Sequence, residues 1–218
     1  MAAAILVASV AIVAGCSPTG APDSDSPVPN ADAPLVAFYG DSYTLGTGAS
    51  DLTVRWSTQI SLDRGWREFN PSVNGLGFIN NRRSFADDDL PALIIAQQPD
   101  IVFVTMGLND NFSFDRAAPQ IEQQIDLDLE RLTSALPDAR FVVVEPFWYT
   151  AERPVSLDII SAWVRVAAER YGADYIAGAS DWIAGNDGLM AADGLHPNDE
   201  GYALMTRLMD EALVELGL

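Results

Sequence analysis

Apolar runs of strand length recur along the chain, at Leu35–Tyr39, Phe69–Val73 (interrupted by Pro71), Ile101–Met106, Phe141–Glu145 and Ala173–Ala177. Runs such as Ile101-Val102-Phe103-Val104 and Phe141-Val142-Val143-Val144 are apolar at consecutive positions, so both faces of the strand must be covered. Between the runs, apolar residues return at helical spacing over about Thr53–Asp63, Asp87–Gln98, Pro119–Leu136, Val155–Tyr171 and Asn198–Leu216. The alternation predicts a three-layer α/β/α domain on a parallel sheet. Ligands of open sheets collect outside the carboxyl ends of the strands, so the loops after the strands are where chemistry is expected.

The start of the chain breaks this pattern. Residues 1–15 carry no charge and are almost wholly apolar. The run is shorter than the roughly 20 residues that span a bilayer, and it matches the apolar core of an export signal, although no basic segment precedes it. Val13-Ala14-Gly15-Cys16 resembles the bacterial lipobox, which implies signal cleavage before Cys16 and a diacylglyceryl group on its sulfur. Residues 16–34, rich in Pro, Ser, Ala and Asp, then read as a disordered tether, and 35–218 as the folded domain. Cys16 is the only cysteine, so no disulfide forms within the chain. The expectation is an exported lipoprotein held at the outer face of the cell membrane, or a secreted protein.

Charge and residue usage narrow the chemistry. The 218 residues hold 31 acidic and 12 basic side chains, a formal charge of -19, which repels phosphate backbones and disfavours nucleic acid and acidic substrates. All twelve basic residues are arginines, which excludes a phosphate-loop lysine, a Schiff base and a lysine general base. Gly40–Gly48 is glycine-rich but lacks the dinucleotide fingerprint, so no cofactor is expected there. Asp87-Asp88-Asp89 lacks the alternating oxygen spacing of a calcium loop and fits a helix N-terminus instead. No metal is called for.

Four loops carry the candidate chemistry: Gly40-Asp41-Ser42 after the first strand, Asn74-Gly75-Leu76-Gly77 after the second, Gly107-Leu108-Asn109-Asp110 after the third, and Asp193-Gly194-Leu195-His196-Pro197 before the last helix. A hydroxyl attacks an ester only when a base takes its proton, and His196 is the single histidine. Asp193, three residues earlier, is able to turn back onto the other ring nitrogen. The oxyanion needs donors, which the Ser42 N–H, a glycine N–H and the Asn109 amide supply. Asp41 and Asp110 read as turn-holding residues, and Asn198 as the cap of the last helix.

These blocks resemble the SGNH (GDSL-type) hydrolase family, named for its Ser, Gly, Asn and His, in the family's order and over most of the domain. The resemblance implies the flavodoxin-like hydrolase fold, Ser42 as nucleophile, Asp193 and His196 as its partners, and Asn109 with one of two glycines in the oxyanion hole. Gly75, directly after Asn74, is favoured over Gly77. Tyr43 departs from the family pattern, where leucine is common. The activity implied is carboxylic ester hydrolysis of a small acyl ester, an acylated glycan or a lipid. The alternatives are acyl transfer to a glycan and a non-catalytic glycan-binding lipoprotein. Phe112 and Phe114, and Phe147-Trp148-Tyr149, either line the cleft or pack as core.

Overall fold

The computed structural model describes residues 30–84 and 89–218. The expected signal segment, Cys16 and most of the tether lie outside these residues, as do Asp87 and Asp88. Strands β1 (Leu35–Gly40), β2 (Arg67–Phe69), β3 (Ile101–Thr105), β4 (Arg140–Val144) and β5 (Asp174–Ile176) form one parallel sheet in the order β2-β1-β3-β4-β5. This is the flavodoxin-like order, whose switch point lies between β1 and β3.

Side chains of a strand alternate between faces, and the continuous apolar runs fill both. Phe38, Phe103, Val142 and Val144 pack with α2 (Trp56–Asp63) and α6 (Asp199–Glu215). Ala37, Val102, Val104 and Val143 pack with α3 (Leu90–Gln97), α4 (Phe114–Ala135) and α5 (Val155–Arg170). Phe38 stacks on Phe103 with centroids 5.2 Å apart, and Trp56 meets Phe38 edge-on at 5.4 Å. Such pairs add about 0.5–1.5 kcal/mol each beyond the area they bury. The expected three-layer domain is therefore the observed one.

The element boundaries differ where polar chemistry outweighs the apolar pattern. The second strand covers Arg67–Phe69 rather than Phe69–Val73, because Pro71 has no N–H to give a ladder and Arg67 N–H takes the Pro34 carbonyl at 2.9 Å. The expected Thr53–Asp63 helix is a single 3-10 turn, Leu52–Val54, capped by Asp51, followed by α2. Asp89 caps α3 by accepting the Ala92 N–H at 3.0 Å, so that helix begins at Leu90. Helix α4 starts earlier than Pro119 and breaks at Ala117 (φ -142°), ahead of the proline whose missing N–H suits a first turn. Among the described residues ahead of β1, Ala33 gives its N–H to the Asn30 carbonyl at 2.8 Å and its own carbonyl accepts from Arg67 Nε at 2.8 Å.

One buried polar cluster was not foreseen. Asp128, on the core face of α4, receives Tyr39 Oη at 2.6 Å and a two-pronged Arg82 guanidinium at 2.5 and 2.7 Å. A buried carboxylate is tolerated only with such partners, and Arg82 thereby fixes the start of the segment after β2 against α4.

Candidate active site

The first loop leaves β1 where the backbone comes closest to its neighbour. A Cβ on Gly40 would lie 2.5 Å from Thr44 Cβ and 2.6 Å from Thr105 Oγ1, so only glycine fits. Asp41 then caps the short helix α1 (Ser42–Leu45) by accepting the Tyr43 N–H at 3.0 Å. Ser42 opens that helix, and its N–H has no protein acceptor among the described residues. Tyr43 replaces the common leucine with a ring that stacks on Phe147 at 5.8 Å and a hydroxyl that donates to the Leu195 carbonyl at 2.5 Å.

In the second loop the two glycines differ in their contacts. Gly77 N–H is already bonded to the Asn80 carbonyl at 2.9 Å, and its missing Cβ makes room for the Asp110 carboxylate, 2.5 Å from where that carbon would stand. Gly75, at φ +71°, lines the pocket beside Ser42, and its N–H has no protein acceptor among the described residues. Its carbonyl is held by Asn80 Nδ2 at 2.8 Å and Asn81 Nδ2 at 2.9 Å. Gly75 is thus the glycine with a donor to offer, and Gly77 is a packing position.

Asn109 follows β3 and opens a 3-10 turn, Asn109–Ser113. Its Nδ2 donates to Asp41 Oδ2 at 3.2 Å and to the Leu76 carbonyl at 3.0 Å, tying the first three loops together. Asp110 does more than hold its own turn: its carboxylate accepts the N–H groups of Phe78, Ile79 and Asn80 at 2.6, 2.9 and 3.1 Å. Burial pushes the Asp110 carboxyl up to about 6, against these three bonds, and pushes Asp41 up to about 7.

The last loop is a self-contained unit. Asp193 Oδ1 accepts the N–H groups of Leu195 at 2.9 Å and His196 at 3.0 Å, and Oδ2 lies 2.7 Å from His196 Nδ1. The hydrogen bond from the His196 ring, then those from the backbone, hold the Asp193 carboxyl down at about 2. An ionised carboxylate only accepts, so Nδ1 carries the proton and Nε2 of the neutral ring is left as the basic nitrogen. Asn198 caps α6 through the Gly201 N–H at 2.9 Å, as its position predicts.

Ser42, Gly75, Asn109 and His196 line one pocket of about 220 Å³, with Leu108 and Leu195 as apolar wall. No direct Ser42–His196 hydrogen bond is made among the described residues; catalytic contacts of this kind commonly close only around substrate. What holds the first and last loops together is a clasp absent from the sequence reading. Besides Tyr43 on Leu195, Tyr202 Oη donates to the Thr47 carbonyl at 2.8 Å, and Ser50 gives its N–H and hydroxyl to Asp199 at 2.8 and 2.6 Å. The only signal for it was Tyr43 itself, the one departure in the first block. The aromatic groups proposed for the cleft form none of this pocket: Phe147 and Trp148 are buried, Phe114 stacks on Trp163 at 5.7 Å, and Phe112 is exposed.

A parallel sheet of flavodoxin-like order, with serine, glycine and asparagine loops meeting a histidine loop at the switch point, defines an α/β hydrolase of the SGNH kind. The chain belongs to the GDSL-like lipase/acylhydrolase family, which matches residues 38–204, and it is a carboxylic ester hydrolase. It is similar to the GDSL lipase Rv0518 of Mycobacterium tuberculosis, 29% identical over 181 residues that cover 77% of this chain and 76% of the relative. Among solved structures it is similar in fold to the psychrotrophic esterase EstA from Pseudoalteromonas sp. (TM-score 0.63, 18% identity, 84% of this chain and 98% of that one). It is also similar in fold to a carbohydrate esterase family 2 enzyme of Corynascus thermopiles (TM-score 0.67, 18% identity, 88% and 69%).

Two outcomes follow from this geometry. Tyr43→Phe removes one neutral hydrogen bond and keeps the stacked ring, so kcat on a p-nitrophenyl ester is expected to fall about fivefold with KM nearly unchanged, measured by steady-state kinetics. The raised Asp41 and Asp110 carboxyls stabilise the fold when protonated. That contribution is complete below the ordinary carboxylate range, near pH 4, and is lost as pH rises through about 6 for Asp110 and about 7 for Asp41. Thermal melts between about pH 5 and about pH 8 should therefore show a decline in wild type that is shallower in Asp41→Asn.

Proposed function

We propose that Ser42, His196 and Asp193 act as a catalytic triad on short-acyl esters, with the Ser42 and Gly75 N–H groups and Asn109 Nδ2 as oxyanion donors. In this reading His196 Nε2 takes the Ser42 proton as Oγ attacks the ester carbonyl, and Asp193 stabilises the imidazolium that forms. The oxyanion meets the two backbone N–H groups that have no protein acceptor among the described residues. Asn109 joins them by exchanging its longer bond, to Asp41, for one to substrate. His196 then returns the proton to the leaving alcohol, and water repeats the sequence on the acyl-enzyme.

The observation that carries the reading is the pairing of free donors with a locked imidazole around one small pocket. At about 220 Å³ this pocket is smaller than the roughly 300–1,000 Å³ typical of drug-sized ligands, which supports a short acyl group such as acetyl over a fatty chain. The likeness to a carbohydrate esterase supports an acetylated sugar as the substrate class. We further infer export and lipid anchoring at Cys16, a reading that rests on the apolar run 1–15 and the Val13–Cys16 motif alone.

Ser42→Ala and His196→Ala are each expected to lower turnover of p-nitrophenyl acetate by about a thousandfold or more, and a fluorophosphonate should label wild type but not Ser42→Ala. Turnover that survives both substitutions sinks the triad. For the anchor, the mature protein should carry the mass of a lipid on Cys16, and Cys16→Ala should appear in the medium; membrane retention of that variant counts against it.

A further inference from the structure

Nine of the twelve arginines make ion pairs with carboxylates, as expected where acidic side chains outnumber basic ones so heavily. Among the described residues only Arg67, Arg83 and Arg116 have no carboxylate partner. Two of these three, Arg83 and Arg116, line a single groove of about 700 Å³, together with Asn81 and the amides of Gln120 and Gln124. Arg82 contributes to the same groove, but its charge is committed to Asp128 and Asp89.

No residue lines both the groove and the Ser42 pocket, but hydrogen bonds connect their walls. Asn81, on its wall, donates to the carbonyl of Gly75, which lines the pocket. Arg116 Nη2 donates to Ser113 Oγ at 2.7 Å, Ser113 Oγ to Asn80 Oδ1 at 2.7 Å, and Asn80 Nδ2 to the Gly75 carbonyl at 2.8 Å. Three hydrogen bonds in series thus fix Arg116 to the peptide that carries an oxyanion donor. Arg116 also donates to the Phe112 carbonyl at 3.0 Å, so its fork is pre-oriented, and both Arg83 and Arg116 are exposed.

We propose that this groove receives an anionic group, a carboxylate or a phosphate, on the alcohol portion of the ester whose acyl group sits beside Ser42. Guanidinium forks match both oxyanions, and among the described residues neither arginine has a carboxylate to abandon. The overall negative charge repels such a substrate at long range, but screening limits that field to about 8 Å at physiological ionic strength, and inside the groove the nearest charges decide. The assignment rests on the proposed esterase reading and narrows its substrate class.

The test compares matched acetyl esters on the full chain: acetylglucuronic acid against acetylglucose for the carboxylate, and acetylglycerol phosphate against acetylglycerol for the phosphate. Wild type should favour at least one anionic ester over its neutral match in kcat/KM, chiefly through KM. In Arg83→Ala/Arg116→Ala that ratio should fall by at least about fivefold, whereas Arg207→Ala, which removes an exposed and paired arginine from α6, should leave it unmoved. Whichever anion responds identifies the source. Ratios near one for both pairs in wild type, or equal ratios in wild type and the double variant, overturn the groove assignment. Ser42→Ala separates the two readings: if it retains neutral-ester turnover the catalytic reading fails, and if it abolishes turnover while the ratios stay flat only the groove does.

Discussion

The pairing of β1 with β3 is the constraint on which the rest of this molecule depends. Its register sets Gly40 opposite Thr105, so the serine loop and the asparagine loop leave the sheet side by side. The Thr44 and Thr105 hydroxyls then meet at 2.6 Å, and Asn109 reaches Asp41 at 3.2 Å. A slip of one residue would turn Phe38 away from Phe103 and Trp56 and would carry the two loops apart. The aromatic layer beneath the sheet and the site above it are therefore two consequences of one register.

That register fixes three of the four loops, and the fourth needs its own tie. Asp193 and His196 are close in sequence, and the turn between them completes their hydrogen bonds without help from elsewhere. Where the imidazole stands relative to Ser42 is a different matter, set by contacts between distant segments. Tyr43, Tyr202 and the Ser50–Asp199 pair supply them, all directed at backbone or carboxylate rather than at the ring. The imidazole is thus held by the loop that carries it, and among the described residues Nε2 has no hydrogen-bond partner.

The parallel sheet and both helical layers were legible because consecutive apolar residues in β3 and β4 call for a sheet covered on both faces, whereas the strand order was not written in any run of residues. The boundaries were less so, and each error has a local cause: Pro71 cannot extend β2, Arg55 is extended and parts the 3-10 turn from α2, Asp89 caps α3 inside the span expected for it, and α4 runs back to Phe114 across a break at Ala117. The four loops were read from residue type and order. The difference between the two glycines could not be, since it lies in contacts to distant or folded-back residues: Asn80 accepts the Gly77 N–H and Asp110 fills the space beside Gly77, while Gly75 lines the pocket. The Arg82–Asp128 cluster and the Tyr43 clasp were invisible for the same reason: each joins residues that no local spacing connects.

Composition and pairing describe different ranges of the electrostatics. A formal charge of -19 states what an approaching ion meets at a distance, and it argues against acidic partners for the chain as a whole. Within a Debye length the sum matters less than which charges are already spent. Most arginines here are spent on neighbouring carboxylates, as in Arg140 with Asp174 or Arg55 with Glu68, and contribute little field beyond their partners. Among the described residues Arg83 and Arg116 are not, and both line one groove whose wall residue Asn81 is hydrogen-bonded to the Gly75 carbonyl. A net charge that argues against acidic partners at a distance is therefore compatible with a locally cationic groove on the same protein, and the excess of acid elsewhere sharpens that contrast.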